Sequence, residues 1–238
     1  MKNRSINHGF QFKSIGYLIL MSLLISVGVV SASDEEDLQK NNLTTDGLTV
    51  VKSTRYTETE IKKDVDWSEY TKYQISPVEV SFRKNWKRDY NRNIRGVSGQ
   101  VSDKDMTRIR ESMAKIVHEE LDSALKEKSG LTATGEVDSG TLLFKPRIIN
   151  LDVYAPDIPT SSRSNSYIRQ AGRATLFLEV YDAISGEILG RWVDTREDPD
   201  RGYLEWANRV TNTERARLIV KGWANRLVEG LDKLRSTN

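Results

Sequence analysis

Histidine and cysteine are the side chains that most often carry acid–base, nucleophilic and metal chemistry. They are nearly missing from this chain, which has no cysteine and two histidines in 238 residues. His8 lies in a basic, apolar N-terminal segment, so His118 stands alone in the body of the protein. A Ser-His-Asp triad, a Cys-His dyad and a His-rich or thiolate zinc site all lack their parts. Disulfides are excluded for the same reason. No G-x-S-x-G, P-loop or H-E-x-x-H string occurs. The sequence therefore assigns no catalytic residue, no metal site and no cofactor.

Carboxylates remain. Asp194, Glu197, Asp198 and Asp200 fall within seven positions. Oxygen ligands so placed suit Ca²⁺, but the spacing misses the EF-hand pattern. Arg191, Arg196 and Arg201 are interleaved, and the favoured reading is a charged turn. Paired carboxylates such as Asp152 and Glu179 suit a glycan hydrolase if they face each other across a cleft; on strands they read equally well as solvent-facing positions.

One segment is locally basic and aromatic. From Phe82 to Arg95 it holds six basic residues, one acid and three aromatic rings. Cations beside aromatic faces suit anionic polymers, sugar phosphates and lipid headgroups. Arg83, Lys84, Trp86, Lys87, Arg88 and Tyr90 are the ligand-binding candidates. The competing reading is a charged loop whose Trp86 packs on the core. Tyr203, Trp206 and Arg209 form a second candidate patch, for which core packing is the favoured reading.

These groups need elements to position them. Residues 1–32 read as a secretory signal: Lys2, Arg4 and Lys13 precede an apolar run from Ser14 to Val30, and Val30-Ser31-Ala32 places cleavage after Ala32. The alternative is retention as a membrane anchor, at the short end of the spanning range. The whole chain has 36 basic and 34 acidic residues. Losing the three basic residues of the signal leaves 33 against 34, so the basic balance belongs to the export segment and gives no case for nucleic acid. Residues 33–65, with eight acids and five bases, read as a flexible acidic linker. A single domain over 66–238 follows.

Within that domain Val78, Val80 and Phe82 alternate with Glu79 and Ser81, as in a half-buried strand. Ser102 and Asp105 form a start signal for a helix over 103–126, with an apolar stripe through Ile109, Met113, Ile116, Val117, Leu121 and Leu125. His118 lies about 180° round that helix from Ile109, on its polar face. Residues 141–154 predict a strand interrupted at Pro146, with Ile149, Leu151 and Val153 sharing a face. Ala174 to Val180 and Glu187 to Thr195 predict an antiparallel hairpin turning at Gly186. Thr211-x-x-Glu214 predicts the start of a last helix over 212–234. The fold class is α+β, a mainly antiparallel sheet of about four to five strands with two long helices packed on one face.

Several short motifs recur in order: Pro77-Val78-Glu79-Val80-Ser81-Phe82 before Trp86, Leu151-Asp152-Val153-Tyr154-Ala155-Pro156-Asp157, Ala171-Gly172-Arg173-Ala174-Thr175-Leu176, and Val180-Tyr181-Asp182-Ala183-Ile184-Ser185-Gly186-Glu187-Ile188-Leu189 with Val193-Asp194. Together they resemble the bacterial envelope family catalogued as domain of unknown function 3313, over roughly residues 66–235. The resemblance implies an envelope location and carries no catalytic residues. Many members are lipoproteins; this chain departs from them in lacking the cysteine that would take the lipid. The expectation is an exported, periplasmic, non-enzymatic module that binds a protein partner or an anionic envelope glycan or lipid headgroup. It would meet a membrane only through an uncleaved signal or by peripheral contact. A carboxylate-dependent glycan hydrolase and a structural subunit of an envelope oligomer are the alternatives.

Overall fold

The computed structural model describes residues 43–94, 99–158 and 167–236. The export segment, 1–32, lies outside the described residues. The elements in chain order are β1 (Thr49–Ser53), β2 (Thr57–Ile61), a 3-10 turn (Trp67–Glu69), β3 (Lys72–Ile75), β4 (Glu79–Phe82), α1 (Trp86–Arg92), α2 (Asp103–Lys128), β5 (Thr132–Ala133), β6 (Thr141–Val153), β7 (Tyr167–Ile168), β8 (Gly172–Asp182), β9 (Ile188–Glu197), β10 (Glu205–Trp206) and α3 (Arg209–Ser236).

The fold is α+β, but the sheet is larger than expected and mixed. It has eight strands in the order β1-β2-β9-β8-β6-β3-β5, with β4 also paired to β6. β6, β8, β9, β2 and β1 are antiparallel neighbours, whereas β3 and β4 run parallel to β6. The extra strands were missed because they are short and polar. β1 and β2, TVVKS and TETEI, fall in the stretch read as linker. Local composition treats their charges as solvated; in the fold Glu60 of β2 is buried and meets Arg191, far along the chain on β9. The ordered domain thus begins ahead of residue 66.

Pro146 does not interrupt β6, which runs unbroken and pairs Pro146 with Leu178 of β8. Its other neighbour breaks instead: the β3 register ends at Phe144, and β4 resumes at Arg147. A residue without an N–H is tolerated where the ladder beside it is absent.

Helices α2 and α3 cover one face of the sheet. Leu142, Phe144 and Ile148 of β6 and Leu176, Leu178 and Val180 of β8 meet Val117, Leu121 and Leu125 of α2 and Trp223, Leu227 and Leu231 of α3 in one core. The predicted stripe of α2 is the buried one, and Ser102 and Asp105 form a complete capping box. α3 starts earlier than the Thr211 signal implied. Asn208 accepts from the Thr211 N–H, while Thr211 itself is buried in the first turn. Arg217 reaches Glu119 and Glu120, and Lys128 reaches Asn225, so the two helices run side by side in the same direction.

A bulge reshapes the end of β6. Ile149 pairs with Thr175 and Asp152 with Arg173, so two residues, Asn150 and Leu151, oppose Ala174 alone. Asn150 adopts φ 55°, a left-handed turn that asparagine tolerates. Ile149 therefore does not share a face with Leu151 and Val153, as strict alternation predicted. The bulge flips Leu151 into the core.

Candidate functional site

The end of β6 after the bulge, the start of β8 and the N-terminal halves of α2 and α3 enclose a cleft of about 140 Å³. Its walls are mainly apolar: Ile109, Met113 and Ile116 from α2, Leu151 and Val153 from β6, and Ala216, Ile219 and Trp223 from α3. The volume is close to the roughly 150 Å³ of an engineered apolar cavity that holds benzene. The cleft exists because two parallel helices touch along their later turns while their first turns straddle the sheet end.

Two lining residues carry buried polar atoms without a partner, the Trp223 indole nitrogen and the Asn212 Oδ1. The Asn212 amide nitrogen donates to the Ala155 carbonyl at 2.9 Å, which fixes Oδ1 as the group left over. The cleft wall thus includes one residue with a spare buried donor and one with a spare buried acceptor.

Cations border the cleft. Arg108 donates to the Asp157 carbonyl at 2.6 Å and pairs with Asp105 at 3.1 Å. Burial tends to raise the Asp105 pKa, but the Ser102 hydroxyl and N–H and the Arg108 charge outweigh it and hold the carboxyl low. Arg209 lies 3.6 Å from Asp157, and Arg173 has no ion pair among the described residues. Asp198, which also lines the cleft, is engaged through its Oδ2. It accepts from Arg215 at 2.5 Å and from the Ala171 N–H at 2.7 Å. Arg215 is itself buried, with Glu205 and the Arg169 carbonyl as further acceptors.

The basic-aromatic segment forms β4, α1 and their junction. Trp86 is buried, donates to the Val153 carbonyl at 3.1 Å, and stacks between Phe82 at 4.4 Å and Tyr90 at 5.9 Å. Its cations are largely engaged: Arg83 with Asp89 and Asp152, Lys87 with Asp103, and Arg88 with Asp89. Lys84 has no ion pair among the described residues. Arg83, Trp86, Lys87 and Arg88 border an open recess together with Arg110, whose guanidinium sits over the Phe82 ring; Lys84 and Tyr90 do not line it. Trp86 is thus packed against the end of β6, with one side on the recess, rather than a free ring.

The carboxylate candidates separate. Asp152 pairs with Arg173 in register and Glu179 with Lys145, six positions apart along β8. At the ordinary strand rise that is about 20 Å, beyond the roughly 5–9.5 Å that glycosidase carboxylates span. Glu179 lies on the face without helices, bound to Arg147, Arg191 and Tyr181. In the Asp194 cluster, Asp194 binds Arg196 and Arg226, Glu197 accepts from Tyr154, and Asp200 accepts from the Gly202 N–H. Among the described residues no group of three or more potential ligands is placed to hold a metal ion. His118 is exposed on α2. Tyr203 and Trp206, for which core packing was favoured, are both exposed.

The cleft itself was not foreseen. Each of its apolar residues read as core, and nothing local marks where a core is left unfilled.

Among solved structures the chain is similar to the PelC dodecamer from Paraburkholderia phytofirmans, with 7% identity over 71% of this chain and 96% of that one and a TM-score of 0.35. It is also similar to a candidate lipoprotein of Caulobacter crescentus CB15, with 14% identity over 53% and 85% of the two chains and a TM-score of 0.30. A PDZ domain protein from Parabacteroides distasonis ATCC 8503 matches at 14% identity over 69% of this chain and 33% of that one, with a TM-score of 0.34. No curated protein matches. Residues 52–227 match the model of the family described as protein of unknown function (DUF3313), and the chain belongs to that family.

Proposed function

We propose that this is an exported, non-enzymatic binding module of the cell envelope. In this reading the cleft takes the apolar part of an anionic envelope component. The observation that carries it is the apolar cleft of about 140 Å³ with an unpaired Trp223 N–H and Asn212 oxygen in its walls. An apolar group of about six carbons fills such a volume. Arg108, Arg173 and Arg209 would face the charge of the ligand. Export rests on the basic and apolar pattern of residues 1–32. Each carboxylate near the cleft is held by an arginine or a backbone N–H, which speaks for binding rather than hydrolysis.

Calorimetric titration with octanoate and octyl phosphate tests the reading. Binding is expected to fall at least tenfold in Ala216→Leu, which fills the cleft, while the melting temperature holds or rises. Equal binding by the filled variant removes the cleft as the site. Sequencing the N-terminus of the chain recovered from the periplasm tests the cut after Ala32.

A second, weaker contact with an anionic glycan or headgroup would use the recess of Arg83, Trp86, Lys87, Arg88 and Arg110 beside α1, with Lys84 and Tyr90 outside its rim. Its favouring observation is that Lys84 and Arg110 have no ion pair among the described residues.

A further inference from the structure

The entrance to α3 is unusually apolar for a surface. Tyr167 of β7 faces Trp206 of β10 across a two-stranded ribbon. Tyr203 and Leu204 lead into that ribbon, and Val210 opens the helix. The five side chains are 58%, 52%, 55%, 61% and 66% exposed, respectively. Single exposed apolar residues are ordinary; five on one ribbon and the turn beside it are a patch.

The platform beneath is anchored. Buried Arg215 donates to Glu205 of β10, to the Arg169 carbonyl just after β7, and to Asp198. The ribbon therefore has a fixed base, and its large side chains point away from it.

The surrounding charge is complementary to anions. Arg173 and Arg201 have no ion pair among the described residues. Arg169 and Arg209 hold only long contacts, 3.8 Å to Asp200 and 3.6 Å to Asp157, between exposed groups that water screens. The acids of the same stretch are occupied, Asp198 and Glu205 by Arg215 and Asp200 by the Gly202 N–H.

We infer that this surface docks the protein on an anionic lipid bilayer. Trp206, Tyr167 and Tyr203 would lie at headgroup level, where an apolar ring with a polar tip is best accommodated. Leu204 and Val210 enter the acyl boundary, and the arginines meet lipid phosphates. Rings with polar tips beside exposed arginines match a layer of anionic headgroups, which favours the bilayer. Arg173 and Arg209 border both surfaces, whereas the ribbon, Arg169 and Arg201 stand outside the cleft lining.

Co-sedimentation of the chain as recovered from cells, with vesicles of equal phosphatidylglycerol and phosphatidylcholine, tests this. The triple variant Tyr203→Ser, Leu204→Ser, Trp206→Ser should partition at least tenfold less than wild type. Arg169→Gln with Arg201→Gln, neither of which lines the cleft, should lose several-fold at low salt and little at high salt. All five positions are exposed, so both variants should keep the wild-type melting temperature and octanoate titration, which separates this result from failure of the cleft. Equal partition of wild type and both variants overturns the inference. So does a wild type that ignores vesicles but whose light-scattering mass drops in the triple variant, which gives the patch to a second copy of the chain.

Discussion

Two arginines order the acids of this protein, and both act on partners distant in sequence. Arg191, on the sheet face without helices, meets Asp46 at 2.5 Å, Glu60 at 2.7 Å and Glu179 at 3.0 Å. Burial pushes the Glu60 carboxyl above its usual range, helped by Glu58 and opposed by Arg191. Its ionised form is thus costly, and the arginine keeps it tolerable. The two sides of the pair should respond differently to removal. Arg191→Met strands Glu60, leaves Glu179 only Arg147 and the Tyr181 hydroxyl, and is expected to cost about 3–5 kcal/mol. Glu60→Gln keeps an acceptor for Arg191, sheds a costly charge, and should change stability by less than about 1 kcal/mol. Urea unfolding of the two variants measures both; equal losses would refute the asymmetry. None of this could be read locally, because a charge in β2 looks solvated until β9 is laid beside it.

At the scale of elements, the strand end that shapes the cleft depends on two adjacent backbones. Asn150 makes the bulge in β6, and Gly172 begins β8 opposite it. A Cβ at Gly172 would stand 2.3 Å from the Asp152 carbonyl oxygen and 3.2 Å from the Val153 Cα, both backbone atoms unable to step aside. Gly172→Ala should therefore force the strands apart there. A loss above about 2 kcal/mol is expected, as for other overpacked or strained sites, together with weaker octanoate binding. A variant as stable as wild type, by thermal melting, would show that the bulge has slack. Alternation identified β8 and β9 as strands and a capping box identified α2, since these signals depend on neighbours a few residues apart. The parallel docking of β3 and β4 on β6, the bulge, and the unbroken passage of β6 through Pro146 depend on which strands become neighbours.

For the molecule as a whole, the response to acid sums many such contacts. The Asp182 carboxyl is held below its usual range, first by the Ser185 N–H, then against some burial by the Ser185 and Tyr70 hydroxyls and the Ile184 N–H. Burial tends to raise Asp122, but Lys126 and the Tyr73 hydroxyl outweigh it, and Asp105 is likewise low. An acid depressed in the folded state lends stability that is complete above its unfolded pKa of about 3.9 and is lost as pH falls through the folded value. Glu60 is raised and acts in the opposite sense. With Asp89, held low by Arg83, and Asp138, held low by Lys72, five depressed carboxyls against one raised predict a fold that weakens below about pH 4. Asp182→Asn should start less stable at pH 6 yet lose less between pH 4 and pH 2, by chemical denaturation at each pH. A parallel loss in wild type and variant would assign the acid limb to other groups.

The two long helices, the central hairpin and the shortage of catalytic side chains were determined by the sequence alone. Each rests on composition or on a period of a few residues, which a linear chain displays without folding. The eight-stranded mixed sheet, the acids claimed by Arg191 and Arg215, the cleft at the start of α2 and α3 and the exposed ribbon of Tyr167 and Trp206 were decided only by tertiary structure. Their physical reason is common: a void, an ion pair or an exposed ring is defined by what lies across from it, and that neighbour is chosen by the fold.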